Sequence, residues 1–284
     1  MAPISDETSH LVNALATPEQ LAVSNSQQDG VSAELETSMI FAGSRLTQAA
    51  GMLLRLPQDI IAQAIVLFQR FWVGPEGGSL HKHDVQDISA AALYLAAKLS
   101  ALPKSPRSVV NTYAYLGSFK ATFVAPRAYA EASDAEAYYV SEGAYQVRRE
   151  KLVANELLVL RTLGFDVHVA LPYSLCVNYL QALDVFADRD AASRLARRAF
   201  AQLNTALLSP QLLFLTHQPS SLATAAIYLA AREVGVKLPG DEWWEVFDTD
   251  REELGFLVVA MLSMEGFVRR EADKWADRSV PSIA

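Results

Sequence analysis

Two segments of the chain repeat one another. Ala91–Lys98 reads AALYLAAK and Ala225–Arg232 reads AAIYLAAR. Six of the eight positions are identical, and the other two exchange Leu for Ile and Lys for Arg. Each copy sits in a longer Ala-rich stretch with helical spacing. A long-period repeat of this kind predicts a duplicated unit, each copy built around its own central helix. With 284 residues, 51% of them hydrophobic, the chain has material for two helical cores.

Periodicity outside the repeat completes the pattern. Helices are predicted over Ser38–Leu54, from Pro57 to Trp72, over Asp84–Leu99, from Pro106 to Leu116 behind a Ser105 cap, and over Ser141–Leu163, with Gly164 as the stop of the last. Ile88, Ala91, Ala92, Leu95 and Leu99 form the inward stripe of the central helix. The second half repeats the scheme near 172–185, 190–208, 219–235, 241–248 and 250–272. Residues 1–36 contain no aromatic residue and are rich in Ser, Gln, Asp and Glu, which predicts a mostly disordered arm with a short helix capped by Thr17. The expected architecture is therefore all-α: an arm over 1–36, two five-helix domains over 37–165 and 166–272, and a tail over 273–284.

Charge and motifs remove several function classes. The net charge is −8 and the pI about 5.2, which argues against affinity for nucleic acid through a broad basic face. Cys176 is the single cysteine, so neither an internal disulfide nor a multi-thiolate metal site is expected, and a reducing compartment fits. No apolar run has the length of a membrane span, and the first residues carry no signal-peptide pattern. His81 and His83 resemble a metal clip, but no cysteine or carboxylate pattern completes it, so a solvated loop is expected. GPEGG at 74–78 lacks the Lys and Ser/Thr of a phosphate-binding loop. No nucleophile motif and no clustered carboxylates of a helical synthase appear. No catalytic residue, cofactor or metal is expected. Of the adjacent Trp243 and Trp244, one is expected in the core and the other partly exposed.

Three segments carry a family resemblance: LRLPQDIIAQAIVLFQRFW (54–72), ISAAALYLAAKL (88–99) and NELLVLRTLGFDVHVALPYSLCVNYLQAL (155–183). They resemble a cyclin box followed by the start of a second, over roughly Ser38–Arg270. Within the cyclin family the chain is most similar to the cyclin L type. The cyclin Q type is next, since PGDEWWEVF (239–247) resembles its last box. The resemblance implies two tandem cyclin boxes and a regulatory subunit of a cyclin-dependent serine/threonine kinase. It favours a PITSLRE-type partner bound one to one, a nuclear location, and a role in RNA polymerase II transcription and pre-mRNA splicing. It also implies that Lys98 on the third helix and Glu156 on the fifth bind the kinase.

Three departures accompany it. Ser100 and Ala101 replace the usual acidic residues after the lysine, the MRAIL-type start of the first helix is absent, and no Arg/Ser-rich tail follows Trp275. On residue type alone, Lys98 would be a snorkelling lysine and Glu156 a helix-surface charge beside a buried face of Val153, Leu157 and Leu160. Arg232, the repeat partner of Lys98, is expected to be a plain surface residue. A tandem-cyclin-fold transcription factor gripping promoter DNA, or a scaffold cyclin that activates no kinase, are the alternatives. The acidic charge and the single cysteine disfavour the DNA-binding one.

Overall fold

The computed structural model describes residues 11–119, 135–185, 189–240 and 242–276, and among them every regular element is helical. The chain divides into two compact units. One gathers Ala16–Val167 and the chain from Val268 onward; the other gathers His168–Phe267 and the N-terminal stretch through Leu15.

In the first unit the helices are α1 Pro18–Ala22, α2 Asn25–Gln28, α3 Ala33–Leu53, α4 Gln58–Trp72, α5 Val85–Leu99, α6 Pro106–Leu116 and α7 Glu142–Thr162. Each predicted long helix is present. Asp84 caps α5 by accepting the N–H groups of Gln86 and Asp87, and Ser105 caps α6 by accepting from Ser108. Gly164 lies at φ +59° and lets the Phe165 N–H turn back to the Leu160 carbonyl at 2.8 Å, which closes α7.

α5 is the centre of this unit, with α3, α4, α6 and α7 packed around it. Ile88, Ala91, Ala92 and Leu95 are buried as expected. Leu99 is not: at the last helical position, beyond the covering helices, it is 60% exposed. Every position of the AALYLAAK segment except Tyr94 and Lys98 is buried. Short side chains on most of α5 let its neighbours approach closely, and the large residues of α4, Phe68, Phe71 and Trp72, fill the remaining space. Gly78 serves the same packing, because a Cβ there would lie 2.0 Å from the Phe71 ring.

In the second unit the helices are α8 Pro172–Ala182, α9 Arg189–Ala206, α10 Leu213–Thr216, α11 Pro219–Val234 and α12 Arg251–Lys274, which continues past this unit after Phe267. The element predicted near 241–248 is a 3-10 turn, Trp243–Phe247. α11 carries the second copy of the repeat and is again central, surrounded by α8, α9, α10 and the 3-10 turn. Ala225, Ala226, Ile227, Leu229, Ala230 and Ala231 are all buried, the same pattern as in α5. Trp243 is buried and Trp244 half-buried against the Tyr228 ring.

Much of the arm expected over residues 1–36 is ordered. Residues 1–10 lie outside the described residues, whereas 11–36 are folded. Thr17 caps α1 as expected, in a reciprocal capping box with Gln20. The polar residues of this stretch are partners for loop backbone, which is why composition misjudged them. Ser26 Oγ accepts the Leu80 N–H at 3.1 Å, and Asn25 Nδ2 donates to the Gly77 carbonyl at 2.9 Å. Asp29 accepts from Ser79 Oγ and pairs with Lys82 at 3.0 Å, so the Gly-rich loop and the HKH segment are fastened from the N-terminal side.

In the second unit, Asn13 pairs with Ala170 as a second backbone would. Its Nδ2 donates to the Ala170 carbonyl at 2.9 Å and its Oδ1 accepts the Ala170 N–H at 2.7 Å. Gln218 makes the matching pair with the backbone of Asn13. Asn13→Ala should therefore lower the unfolding free energy by about 1–3 kcal/mol, because buried backbone groups lose their partners. Chemical denaturation measures it; an unchanged midpoint and slope would show that residues 11–15 are not anchored there.

Candidate kinase-docking site

The two residues singled out by resemblance meet. α5 and α7 pack along one another, and Lys98 Nζ donates to Glu156 Oε1 at 2.9 Å. The pair is lopsided. The Glu156 side chain is 8% exposed while that of Lys98 is 55% exposed. The bond to Glu156 raises the Lys98 pKa, with the carboxylate charge adding to it. The ammonium also lies 5.6 Å from the centre of the Tyr94 ring, one turn back on α5.

The orientation of α7 differs from the one expected. Tyr145, Leu152, Glu156 and Val159 form its buried stripe, whereas Val153 and Leu157 are exposed. Glu156 is thus no ordinary surface charge. The reversal has a simple cause. α7 carries more apolar residues than one stripe can bury, and the buried register includes a carboxylate that finds its cation on α5.

The residues left outside gather near the pair in sequence. Leu157 follows Glu156, and Val153 lies one turn before it. On the other helix, Leu99 follows Lys98 and Leu102 lies just beyond the Ser100 cap; all four are exposed. A fixed ion pair accompanied by uncovered aliphatic side chains has the composition of a protein-docking surface, with an apolar contact area and one oriented polar group. The sequence signal for the exposed residues was the excess of apolar positions on α7.

The remaining candidates have structural roles. Arg232, in the place of Lys98, lies 6.0 Å from the Tyr228 ring centre, and no carboxylate partner for it is found among the described residues. His83 packs edge-on against Phe71 at 5.7 Å, and burial lowers its pKa. No group of three His, Cys, Asp or Glu among the described residues could hold a metal ion. Cys176 is buried, which pushes its thiol up to about 12. Within RLARR, Arg198 grips Glu233 through both Nε and Nη2. No helix among the described residues is long and apolar enough to cross a membrane.

No family model matches the chain. Mouse cyclin-L2 is 31% identical over 93% of the chain, and human cyclin-L1 is 31% identical over 89%. Over most of its length the chain is similar to cyclins of the L type. It spans 47% of the mouse cyclin-L2 and 44% of the human cyclin-L1 sequence, so about half of each relative. Among solved structures, a chain of the yeast RNA Pol II CTD kinase CTDK-1 complex aligns with a TM-score of 0.66 at 13% identity. That alignment covers 96% of this chain and 87% of the other. A chain of the CAK complex from Chaetomium thermophilum bound to ATP-γ-S aligns at TM-score 0.56 and 18% identity, covering 86% and 67%. At those identities the likeness is one of cyclin fold, and it covers both units.

Lys98→Met would leave a nearly buried carboxylate without its cation. It should lower stability by about 1 kcal/mol, the low end for a lost charged partner because the lysine is half in solvent. Adding Glu156→Leu should recover part of that loss. Urea denaturation of the four chains of this cycle is the check, and equal stability of Lys98→Met and the parent would mean that the pair carries no weight.

Proposed function

We propose that this chain is a cyclin, the activating subunit of a cyclin-dependent serine/threonine kinase, docked through the α5–α7 face around Lys98 and Glu156. The observation that carries the reading is that face: a lysine and a buried glutamate bonded at 2.9 Å, with Leu99, Leu102, Val153 and Leu157 left uncovered. Isolated apolar residues on a surface need no explanation, but four within four sequence positions of the members of one ion pair do.

The mechanism is a population shift. Phosphoryl transfer in a protein kinase requires the C-helix glutamate to pair with the strand lysine that holds the ATP phosphates, and requires an ordered activation loop. A rigid helical surface that binds only the ordered arrangement raises its population by its differential affinity. The cyclin supplies no reacting group. Its contribution is rigidity, to which the close packing around α5 and the Lys98–Glu156 bond contribute.

The likeness to cyclin-L1 and cyclin-L2 favours a PITSLRE-type kinase in a one-to-one complex, acting in the nucleus on RNA polymerase II transcription and pre-mRNA splicing. A fold neighbour within an RNA Pol II CTD kinase complex fits the transcription part. The difference between the two repeat copies supports one-to-one stoichiometry. Among the described residues the lysine–glutamate pair is found in the first unit, whereas Arg232 lies near the Tyr228 ring. The interface should bury on the order of 1,600 Å², the size of a standard stable complex.

The test is capture of the kinase from cells by the tagged chain, with Leu157→Asp as the discriminating variant. Leu157 is 42% exposed, so the variant should unfold at the parent's temperature. It should retain less than about a tenth of the kinase, since a charge forced into an apolar contact without a partner costs more than 1.4 kcal/mol. The parent chain should raise the activity of the captured kinase and turn over no ATP alone. Undiminished capture by Leu157→Asp would place docking elsewhere; capture of promoter DNA and initiation factors without a kinase would replace the reading.

A further inference from the structure

The first unit has a second feature with no place in kinase docking. Between the start of α5, the middle of α6 and the first half of α7 lies a cleft of about 120 Å³. Its wall is apolar: Val109, Val110 and Leu152 are buried, and Ala90 and Ala114 leave the space that larger residues would close. Tyr113 also lines it, but its hydroxyl is already bonded to Ser89 at 2.7 Å, so the ring is offered and the hydroxyl is not. A dry apolar cavity of about 150 Å³ holds a benzene ring. The cleft therefore has room for one aliphatic side chain and none for a nucleotide or cofactor.

The rim is charged, and its charges are unequally engaged. Lys151 Nζ bonds to Asp87 Oδ2 at 2.5 Å, which raises the Lys151 pKa, and Asp84 adds to that from the α5 cap. Arg148, one turn earlier on α7, is exposed at the rim and has no carboxylate partner among the described residues. An unengaged guanidinium beside an apolar slot complements a carboxylate attached to an aliphatic group. Asp84 and Asp87 close by disfavour a phosphate dianion, so a single carboxylate is the better match.

We propose that this cleft is a docking site for a short extended peptide carrying an aliphatic residue and, two positions away, Asp or Glu. The aliphatic side chain fills the space between Ala90 and Ala114, and the carboxylate reaches Arg148. The two-residue spacing follows from extended chain, where alternate side chains share a face about 7 Å apart. Such a site would recruit acidic proteins to the cyclin, and it does not depend on the kinase reading, because its residues are separate from Lys98, Glu156 and Leu157.

The experiment is fluorescence anisotropy with a labelled peptide containing Glu-Ser-Leu-Ser-Glu, which presents the spacing in both directions. It should bind with a dissociation constant below a millimolar. Glu-Ser-Ala-Ser-Glu and Lys-Ser-Leu-Ser-Lys should each bind at least about tenfold more weakly. Arg148→Glu, a change of an exposed side chain, and Ala114→Leu, which fills the slot, should each weaken binding of the first peptide by about the same factor. Leu157→Asp should leave it unchanged, which separates this site from the kinase face. If Ala114→Leu fails to fold, Arg148→Glu decides alone. No binding at millimolar peptide, or binding that Arg148→Glu leaves intact, would overturn the proposal.

Discussion

Close approach between helices is the constraint on which both units depend. A central helix surrounded by neighbours on all sides must present short side chains to most of them, or the bundle opens. Both α5 and α11 meet this requirement with alanine at four of the eight repeat positions. Interiors packed to crystal-like density do not absorb an added methylene without strain, so these alanines are as constrained as the aromatic residues around them. The tyrosine and the terminal cation in each repeat are the positions that escape the core, and they are where the two units diverge.

That divergence is chemical. Lys98 and Arg232 both lie near a tyrosine ring one turn earlier, at 5.6 and 6.0 Å. Among the described residues only Lys98 also has a carboxylate, because Glu156 on α7 is buried within its reach. A lysine alone would sweep a wide volume with its flexible stem. Bonded to a nearly immobile carboxylate, it becomes a fixed feature. The same bond gives the buried Glu156 carboxylate a hydrogen-bond partner beside Leu152 and Val159. Duplication thus supplied two similar scaffolds, and one buried carboxylate distinguishes the face of the first.

The helices were legible in the sequence because periodicity, proline at helix starts and Ser, Thr or Asp caps all agreed. The repeat identified both central helices before any coordinate. Three features were misjudged, for physical reasons. Leu99 continues the apolar stripe of α5 but stands at its last helical position, beyond the covering helices. The stretch 11–36 looked disordered because its composition is polar, yet Asn13, Asn25, Ser26 and Asp29 are bonded to backbone or side chains far away in sequence. Long-range pairing of that kind leaves no local periodic trace. The face of α7 was misassigned because apolar residues outnumber the places available, and hydrophobicity alone ranks Leu157 as more buried than Glu156. Lys98 and Glu156 themselves were reached only through family resemblance; their mutual bond needed the structure.

The central claim is that the exposed aliphatic residues around the Lys98–Glu156 pair are covered by a kinase. Hydroxyl-radical footprinting of the free chain and of its complex with the captured kinase tests this at the side chains concerned. The account predicts strong protection of Leu99, Leu102, Val153 and Leu157 in the complex, with Phe256, Val259 and Leu262 of the second unit still oxidised as in the free chain. Equal oxidation of the first four residues in both samples, or protection confined to the second unit, would contradict it.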